Sequence, residues 1–251
     1  MPDGLRLALA FLTRLPTPAA RDCSARAQGR AVVFYPLVGA IIGLCLAALG
    51  FGVRGLDPSL AAALNVLLWV LITGALHLDG LADSADAWLG GGDDRARSLS
   101  IMKDPVSGPA GVVSIVVVLL LKFAALSALV AAGDTDVLLW ALLWVPTVAR
   151  CAVAWLLIST PYVRADGLGA EAARHAPRAG VWAGLTLVVP GAWLFGPGGA
   201  WVVLTGLLLV VSLRLLMMRR LGGTTGDTAG ALVEIVEAGA LAATVTWVAT
   251  R

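Results

Sequence analysis

Three aspartates follow one another at helical spacing in the segment His77-Leu78-Asp79-Gly80-Leu81-Ala82-Asp83-Ser84-Ala85-Asp86. If this segment is helical, Asp79, Asp83 and Asp86 lie at i, i+4 and i+7 and line one face, where their charges repel one another. A divalent cation would remove the repulsion, and carboxylate oxygens favour Mg²⁺ or Mn²⁺ over zinc. The spacing therefore predicts that the three aspartates hold a metal ion that binds the phosphate groups of a substrate. The alternatives are a solvated first turn after a membrane helix and acids that neutralise nearby arginines.

A second polar segment is Ile101-Met102-Lys103-Asp104-Pro105-Val106-Ser107-Gly108-Pro109-Ala110-Gly111. Lys103 offers positive charge to a phosphate, and Asp104 offers another oxygen ligand to a metal ion. Ser107 and Gly108 are further candidates for phosphate binding, since they precede an apolar run and a helix N-terminus binds anions. The alternative is an ordinary loop, because Lys-Asp-Pro is a common turn.

A third segment, Leu221-Gly222-Gly223-Thr224-Thr225-Gly226-Asp227, is rich in glycine and precedes the last apolar run. Bare backbone at Gly222, Gly223 and Gly226 could approach a phosphate closely. The segment is not a Walker A loop, because no Gly-Lys-Ser/Thr follows. Asp227 is a further candidate metal ligand.

Several ionisable residues lie inside apolar runs, among them Glu234 and Glu237 in the last one. Because acids within a membrane span are costly, we predict that these two bind a cation or substrate. Pairing with Arg150 or Arg214 to hold the bundle together is the structural alternative. Arg150 and Lys122 could meet Glu234, and they could also reach a phosphate in a polar cavity.

His77 precedes the aspartates and is a candidate general base or hydrogen-bond donor. Packing or capping at the membrane surface is the alternative for this residue. We interpret Tyr162 and Arg164 as interface anchors, since aromatic and basic residues are common where a span ends.

The composition identifies the elements that must position these segments. Hydrophobic residues make up 59% of the chain, charged residues only 14%, and the mean hydropathy is +0.89, which excludes an ordinary soluble domain. We predict one all-α membrane domain over residues 1–251, a polytopic bundle of about seven transmembrane helices, with six or eight left open. Residues 1–30 form a cytoplasmic, interfacial lead-in. The predicted spans are 31–52, 60–78, 110–131, 136–158, 180–195, 200–217 and 230–249.

The connection between the fifth and sixth predicted spans is short. It is rich in residues that interrupt helices, namely Pro190, Gly191, Gly196, Pro197, Gly198 and Gly199. This pair of spans is therefore a candidate tight hairpin or re-entrant element.

Lysines and arginines predict the orientation of the bundle, because short cytoplasmic loops carry an excess of them. With a cytoplasmic N-terminus, 13 of the 18 lie inside: Arg6, Arg14, Arg21, Arg26, Arg30, Arg95, Arg97, Lys103, Arg164, Arg174, Arg178, Arg219 and Arg220. Arg54 and Arg251 lie outside, and the other three, Lys122, Arg150 and Arg214, fall within the predicted spans. All three polar segments then face the cytoplasm and could converge on one site. The net charge of +2 gives no indication of a nucleic-acid partner.

In their order along the chain, these motifs resemble the cobalamin synthase family, the adenosylcobinamide-GDP ribazoletransferases. The resemblance begins with Thr13-Arg14-Leu15-Pro16-Thr17-Pro18 and Phe34-Tyr35-Pro36-Leu37-Val38-Gly39. It continues through the segments at 77–86 and 101–111, then Leu121-Lys122-Phe123-Ala124-Ala125-Leu126, and finally Gly222-Gly223-Thr224-Thr225-Gly226-Asp227 to Glu234. It covers roughly residues 10 to 240, and several motifs in one order are specific even though each alone is weak.

The resemblance implies a membrane-bound, Mg²⁺-dependent transferase of cobalamin synthesis. Its substrates would be adenosylcobinamide-GDP and α-ribazole or α-ribazole 5′-phosphate, and its products adenosylcobalamin or its 5′-phosphate, plus GMP. It implies a bacterial inner membrane, with the active site facing the cytoplasm. Association with other enzymes of the pathway is a further hypothesis.

Metal-assisted phosphoryl transfer assigns roles to the polar residues. The predicted metal ligands are the acids of the three segments, Asp79, Asp83, Asp227, Asp86 and Asp104. Lys103 would offset charge on the departing GMP. An acid not committed to the metal, such as Asp86 or Asp104, or else His77, would take the proton from the ribazole hydroxyl.

Two other functions fit parts of the sequence. A CDP-alcohol phosphotransferase also places spaced aspartates at a membrane face, but its Asp-x-x-Asp-Gly-x-x-Ala-Arg motif is not matched by Asp79-Gly80-Leu81-Ala82-Asp83-Ser84, where the arginine is missing. A cation-coupled transporter could use Glu234, Glu237 and Asp79 as a path. The polar residues cluster at one face, however, and the inverted repeat common in transporters is not evident.

Overall fold

A computed structural model describes residues 1–164, 168–193 and 197–251. Their regular elements are helices, which confirms the all-α prediction, and a single bridge pairs Tyr162 with Thr224. The helices are α1 (Asp3–Leu12), α2 (Ala25–Ala31), α3 (Tyr35–Val53), α4 (Pro58–Thr73), α5 (Leu76–Gly91), α6 (Arg95–Ile101), α7 (Pro109–Ala131), α8 (Thr135–Ser159), α9 (Leu168–His175), α10 (Arg178–Trp193), α11 (Pro197–Leu221) and α12 (Gly226–Ala249). A 3₁₀ turn, Val32–Phe34, joins α2 to α3.

Five stretches of helix in the described part of the chain are long and apolar enough to cross a membrane. They are Ala25–Val53, Pro109–Ala131, Thr135–Ser159, Gly198–Leu221 and Gly226–Ala249. The bent pair α4 and α5 makes a sixth if it is counted as one span. These helices confirm a multi-pass membrane protein. A count of seven stays a prediction, because α10 has only 16 residues. Of the residues predicted to connect the fifth and sixth spans, Pro190 and Gly191 lie in α10, Pro197, Gly198 and Gly199 begin α11, and Gly196 lies outside the described residues.

The predicted span 60–78 is wrong at its end, because α4 stops at Thr73 and α5 leaves it at 88°. Gly74 and Ala75 both adopt left-handed backbone, with φ of 61° and 59°, which ends the helix. Arg14 holds this turn, since its backbone N–H donates to the Ile72 carbonyl oxygen at 2.7 Å. The apolar run continues through the bend, so hydropathy alone does not reveal it. With 16 residues each, α4 and α5 reach span length only as a pair, and α5, which carries Asp79, Asp83 and Asp86, is the polar half of that pair.

The centre of the bundle is α8, which packs against α3 on one side and α12 on the other. Gly39 and Gly43 let α3 approach α8 closely: a Cβ at Gly43 would lie 2.4 Å from the Leu143 carbonyl oxygen. Small residues four apart are a common means of bringing membrane helices together. Backbone contact of this kind sets a rigid frame for the helix ends.

Helix α5 lies across the N-terminal ends of α7 and α12. Gly80 makes the contact with α12 possible, since a Cβ there would lie 2.7 Å from the Asp227 carbonyl oxygen. The polar segments at 77–86, 101–111 and 221–227 therefore meet at one end of the bundle, as predicted. That this end faces the cytoplasm stays a prediction.

Candidate active site

A cavity of about 410 Å³ opens beside α5, at the end of the bundle where the polar segments meet. Its polar lining consists of His77 and Asp79 from α5, Tyr162 and Arg164 from the segment after α8, and Asp227 from α12. We call it the acid cavity. Tyr35 of α3, apolar side chains of α1, α5 and α8, and small residues of α5, α9 and α12 form the rest of its wall. It is the kind of concave, partly apolar site that binds a small molecule.

The segment at 77–86 is helical, as predicted, and its first two aspartates lie beside Asp227. Asp79 is exposed, Asp83 is half-buried, and both act electrostatically with Asp227. Burial, followed by the charges of Asp79 and Asp227, raises the pKa of the Asp83 carboxyl to about 6, against a smaller opposing effect of Arg164. The site thus holds more negative charge than its protein surroundings neutralise.

Arg164 supplies positive charge at the site. Its interpretation from sequence as an interface anchor did not include this role. Its Nη1 lies 2.7 Å from Oδ2 of Asp227. The pairing of residues 161–163 with the third polar segment brings it there: Val163 N–H donates to the Thr224 carbonyl at 2.9 Å, and Thr224 N–H donates to the Pro161 carbonyl at 2.8 Å. No local sequence pattern predicts this contact, because the two segments are about sixty residues apart in the chain.

The donor set of this site fits a hard divalent cation. Asp79, Asp83 and Asp227 supply carboxylate oxygens, and only Asp227 among these three has an ion-pair partner in the described residues. Within the same residues, no three His, Cys, Asp or Glu side chains converge into a complete ligand set. Mg²⁺ commonly takes only one or two carboxylates and completes its shell with water and substrate phosphate. The three acids are therefore where such an ion would be held.

Asp86 has a structural partner that the sequence did not indicate. Its carboxylate accepts from Gly108 N–H at 2.7 Å and from Gly111 N–H at 2.9 Å. It thereby caps the N-terminus of α7, where backbone donors have no helical partner. Asp86 faces α7 and does not line the acid cavity. Its predicted roles as metal ligand and base remain predictions, with two hydrogen bonds already assigned to its oxygens.

Replacing Asp86 by alanine is expected to destabilise the protein by about 1–3 kcal/mol, because two backbone donors at the start of α7 lose a charged acceptor. Thermal unfolding of the purified protein in detergent measures this loss. Asp136→Ala is the matched control, since Asp136 is an exposed acid in the first turn of α8 and forms no ion pair among the described residues. Equal melting temperatures for the two variants would contradict the capping role.

The second polar segment reaches the same end of the bundle but not the acid cavity. Lys103, Asp104 and Ser107 are exposed, and Asp104 accepts from Val106 N–H at 3.0 Å within its own turn. The segment forms a turn at Lys-Asp-Pro, and the predicted roles of Lys103, Asp104 and Ser107 toward phosphate and metal stay predictions. Gly108 serves the cap described above through its N–H.

In the third polar segment, Gly226 lines the acid cavity and begins α12. Gly222 has φ 70° and ends the turn after α11, while Gly223 packs against the Pro161 carbonyl. Gly222 and Gly223 therefore shape the loop and do not line the acid cavity. Thr225 caps α12 by accepting from Thr228 N–H at 3.2 Å, which fixes Asp227 in the first turn.

Glu234 and Glu237 lie deeper, in a buried cluster with Lys122 and Arg150 that we call the buried tetrad. Lys122 Nζ is 2.7 Å from Glu234 Oε2 and 2.5 Å from Glu237 Oε2. Arg150 Nη1 contacts Glu237 Oε1. This is one of the two pairings that the sequence offered as an alternative to a binding role for the glutamates. Arg214, the other partner considered, donates instead to Thr160 and Ser159. The tetrad joins α7, α8 and α12 and does not line the acid cavity.

His77 is buried and lines the acid cavity, as its predicted role requires. Its Nδ1 has no hydrogen-bond partner within the described part of the chain. A buried polar atom without a protein partner at a cavity wall is available to a bound molecule. His77 therefore keeps its place among the candidate bases and donors.

Comparison with known proteins identifies one family and several relatives that share one name. The sequence profile of a family described as cobalamin-5-phosphate synthase matches residues 4–245. A protein of Pseudomonas paraeruginosa named adenosylcobinamide-GDP ribazoletransferase is 50% identical over 247 residues, covering 96% of this chain and 97% of its own. Proteins with the same name from Pseudomonas entomophila and Pseudomonas aeruginosa are 51% and 49% identical, covering 92% and 96% of this chain and 93% and 96% of their own. No solved structure matches.

Proposed function

The chain belongs to the cobalamin-5-phosphate synthase family, and we propose that it catalyses the ribazole transfer for which its relatives are named. The substrates would be adenosylcobinamide-GDP and α-ribazole or its 5′-phosphate, and the products adenosylcobalamin or its 5′-phosphate, plus GMP. The observation that carries the proposal is that Asp79 and Asp227 line a cavity on one end of a membrane bundle, with Asp83 in electrostatic interaction with both. The protein would lie in the bacterial inner membrane, with its substrate site facing the cytoplasm.

The reaction exchanges one phosphorus–oxygen bond for another. The ribazole 3′-hydroxyl attacks the phosphorus that carries the cobinamide arm, a new phosphodiester forms, and the bond to GMP breaks. The hydroxyl loses a proton, and GMP leaves with the electron pair of the broken bond. Such a transfer requires alignment and stabilisation of negative charge more than covalent help from the protein.

Mg²⁺ bound to Asp79, Asp83 and Asp227 would neutralise charge on the pyrophosphate. Arg164 holds Asp227 in place and adds a fixed positive charge at the same wall. Tyr162 and His77 line the cavity, where they can orient the acceptor. His77 Nδ1, which lacks a partner among the described residues, is placed to accept the hydroxyl proton, and so is a carboxylate left free of metal.

A transporter is less well supported by the buried residues. Glu234 and Glu237 are matched in charge by Lys122 and Arg150, and all four side chains are at most 5% exposed. An enclosed cluster in which each carboxylate already contacts a cationic side chain has no free carboxylate to offer a cation. Asp79, which has no ion-pair partner among the described residues, lies at the acid cavity instead.

The direct test incubates purified protein, in detergent or in liposomes, with adenosylcobinamide-GDP and α-ribazole, in Mg²⁺ or in EDTA. We expect equimolar cobalamin and GMP with Mg²⁺ and neither with EDTA. Chromatography of both products measures the transfer. Absence of both with Mg²⁺, for protein shown to be folded, would overturn the proposed function.

The rate is expected to fall at acid pH because Asp83, with its pKa raised to about 6, must be ionised to hold a cation. Protons and metal compete for the same oxygens, so higher Mg²⁺ should move the acidic limb to lower pH. Initial rates from pH 5 to 8 at two Mg²⁺ concentrations measure this shift. A limb that stays at one pH as Mg²⁺ rises would contradict Asp83 as a ligand.

A further inference from the structure

A second polar cavity, of about 480 Å³, lies beside the acid cavity. Its wall combines the end of α8 and the following segment with α9 and the start of α10. Three of its lining side chains are arginines, Arg164, Arg174 and Arg178, and no acid lines it among the described residues. We call it the basic pocket. From the sequence, these arginines indicate only the orientation of the protein in the membrane and, for Arg164, an anchor at the membrane interface.

The charges of the basic pocket are only partly neutralised by protein groups. Arg164 pairs with Asp227 through Nη1, yet its buried Nε and Nη2 have no hydrogen-bond partner in the described part of the chain. Arg174 pairs with Glu171 at 2.5 Å in an exposed contact that solvent screens. Arg178 has no ion-pair partner among the described residues. Buried donors without a protein partner require a ligand or water.

The basic pocket and the acid cavity share a wall. Leu157, Tyr162 and Arg164 line both of them, so one molecule can extend from one into the other. Arg164 stands at the junction with one nitrogen on Asp227 and two nitrogens still available. The two cavities therefore offer adjoining sites of opposite character, one suited to a cation and one to an anion.

We propose that the basic pocket binds the 5′-phosphate of the acceptor, so that the enzyme distinguishes α-ribazole 5′-phosphate from α-ribazole. This inference rests on the proposed function. Arginine guanidinium groups match phosphate oxygens in geometry and charge, and a phosphate monoester carries about −1.5 to −2 charges near neutral pH. Arg178 and Arg164 are the principal binding groups, and Arg174 adds charge at the rim.

The chemistry of the two substrates favours the acceptor over the nucleotide as the occupant. Both phosphates of the donor belong to the pyrophosphate whose bond breaks, so they must lie with the acids and their metal. The acceptor's 5′-phosphate is separated from the reacting 3′-hydroxyl by the ribose. With that hydroxyl directed into the acid cavity, the phosphate needs a positively charged site next to it. The basic pocket is in that place.

The test compares two acceptors and the donor in the unaltered enzyme and in Arg178→Gln. We expect Arg178→Gln to raise KM for α-ribazole 5′-phosphate roughly 10- to 100-fold, the loss of one or two charge-assisted hydrogen bonds. KM for α-ribazole and for adenosylcobinamide-GDP should change less than about threefold. Arg178→Lys, which keeps the charge, should recover part of the loss.

Arg26→Gln is the matched control, because Arg26 is exposed and lines neither cavity. An equal rise in KM for both acceptors would show that Arg178 only supports the local structure, and the inference would fall. A rise for adenosylcobinamide-GDP alone would assign the pocket to the nucleotide and overturn it as well. If the unaltered enzyme uses both acceptors with equal KM, the inference fails while the proposed function stands. No product from either acceptor removes both.

Discussion

Asp83→Asn is expected to lower the rate of ribazole transfer by at least about 100-fold while leaving the protein folded. The change keeps the shape of the side chain and removes the charge that a cation needs. The charges of Asp79 and Asp227 act on Asp83. If the three acids hold Mg²⁺, loss of the Asp83 charge weakens both metal binding and stabilisation of the pyrophosphate.

The same substitution should not reduce stability, which separates a functional role from a structural one. Because burial and neighbouring charges raise the pKa of Asp83 above its value in the unfolded chain, its ionisation above pH 6 opposes folding. Neutral asparagine removes that cost. Asp83→Asn should therefore melt at or above the temperature of the unaltered protein when Mg²⁺ is absent. Functional sites commonly hold such unfavourable charge.

Thermal unfolding with and without Mg²⁺, together with the product assay, measures both effects. Mg²⁺ should stabilise the unaltered protein, since a ligand of the folded state raises its melting temperature, and should stabilise Asp83→Asn much less. Asp93→Asn is the control, because Asp93 follows α5 and is fully exposed. A nearly normal rate for Asp83→Asn would contradict the metal assignment.

Glu237→Gln is expected to destabilise the protein by about 3–5 kcal/mol, because it removes the carboxylate that contacts both cations of the buried tetrad. Arg150 would be left buried beside α12 without its acid partner. The side chains of Glu237 and Arg150 are 0% and 1% exposed, so water does not replace the lost contact. Thermal unfolding in detergent measures the loss. Leu120→Met, at an exposed position of α7, is the control.

A double substitution tests whether loss of charge balance in the buried tetrad is what destabilises the protein. Lys122→Met and Glu234→Gln each unbalance the tetrad by one charge, whereas the two together restore neutrality. The pair should therefore be less damaging than the sum of the single changes, with a coupling of about 0.5–3 kcal/mol. Additive losses would show that packing, not charge, dominates at this position.

Much of the architecture follows from local features of the sequence. Apolar runs of span length predict membrane helices, since the backbone in lipid must satisfy its own hydrogen bonds. Spacing of i, i+4 and i+7 predicts that three aspartates share a face once the segment is helical. Both properties depend on residues close together in the chain. The family resemblance rests likewise on short motifs in order, and the comparisons confirm it.

The assignment of partners within the site was decided by the tertiary structure. Asp83 and Asp86 are three residues apart on one helix, yet Asp83 lies beside Asp79 and Asp227 while Asp86 caps α7. The bend at Gly74 and Ala75 aims α5 across the bundle, although the apolar run continues through it. Small rotations around a helix thus separate a candidate ligand from a structural cap.

Apolar runs of helical length, the membrane setting, the collection of polar residues at one end of the bundle and the family all follow from the sequence. The pairing of Glu237 with Arg150 and Lys122, and that of Arg164 with Asp227, become visible only in the packed structure. Helix formation and hydropathy are properties of neighbouring residues. Charge compensation in a low-dielectric interior depends on side chains distant in the chain, so it becomes fixed only when the helices pack.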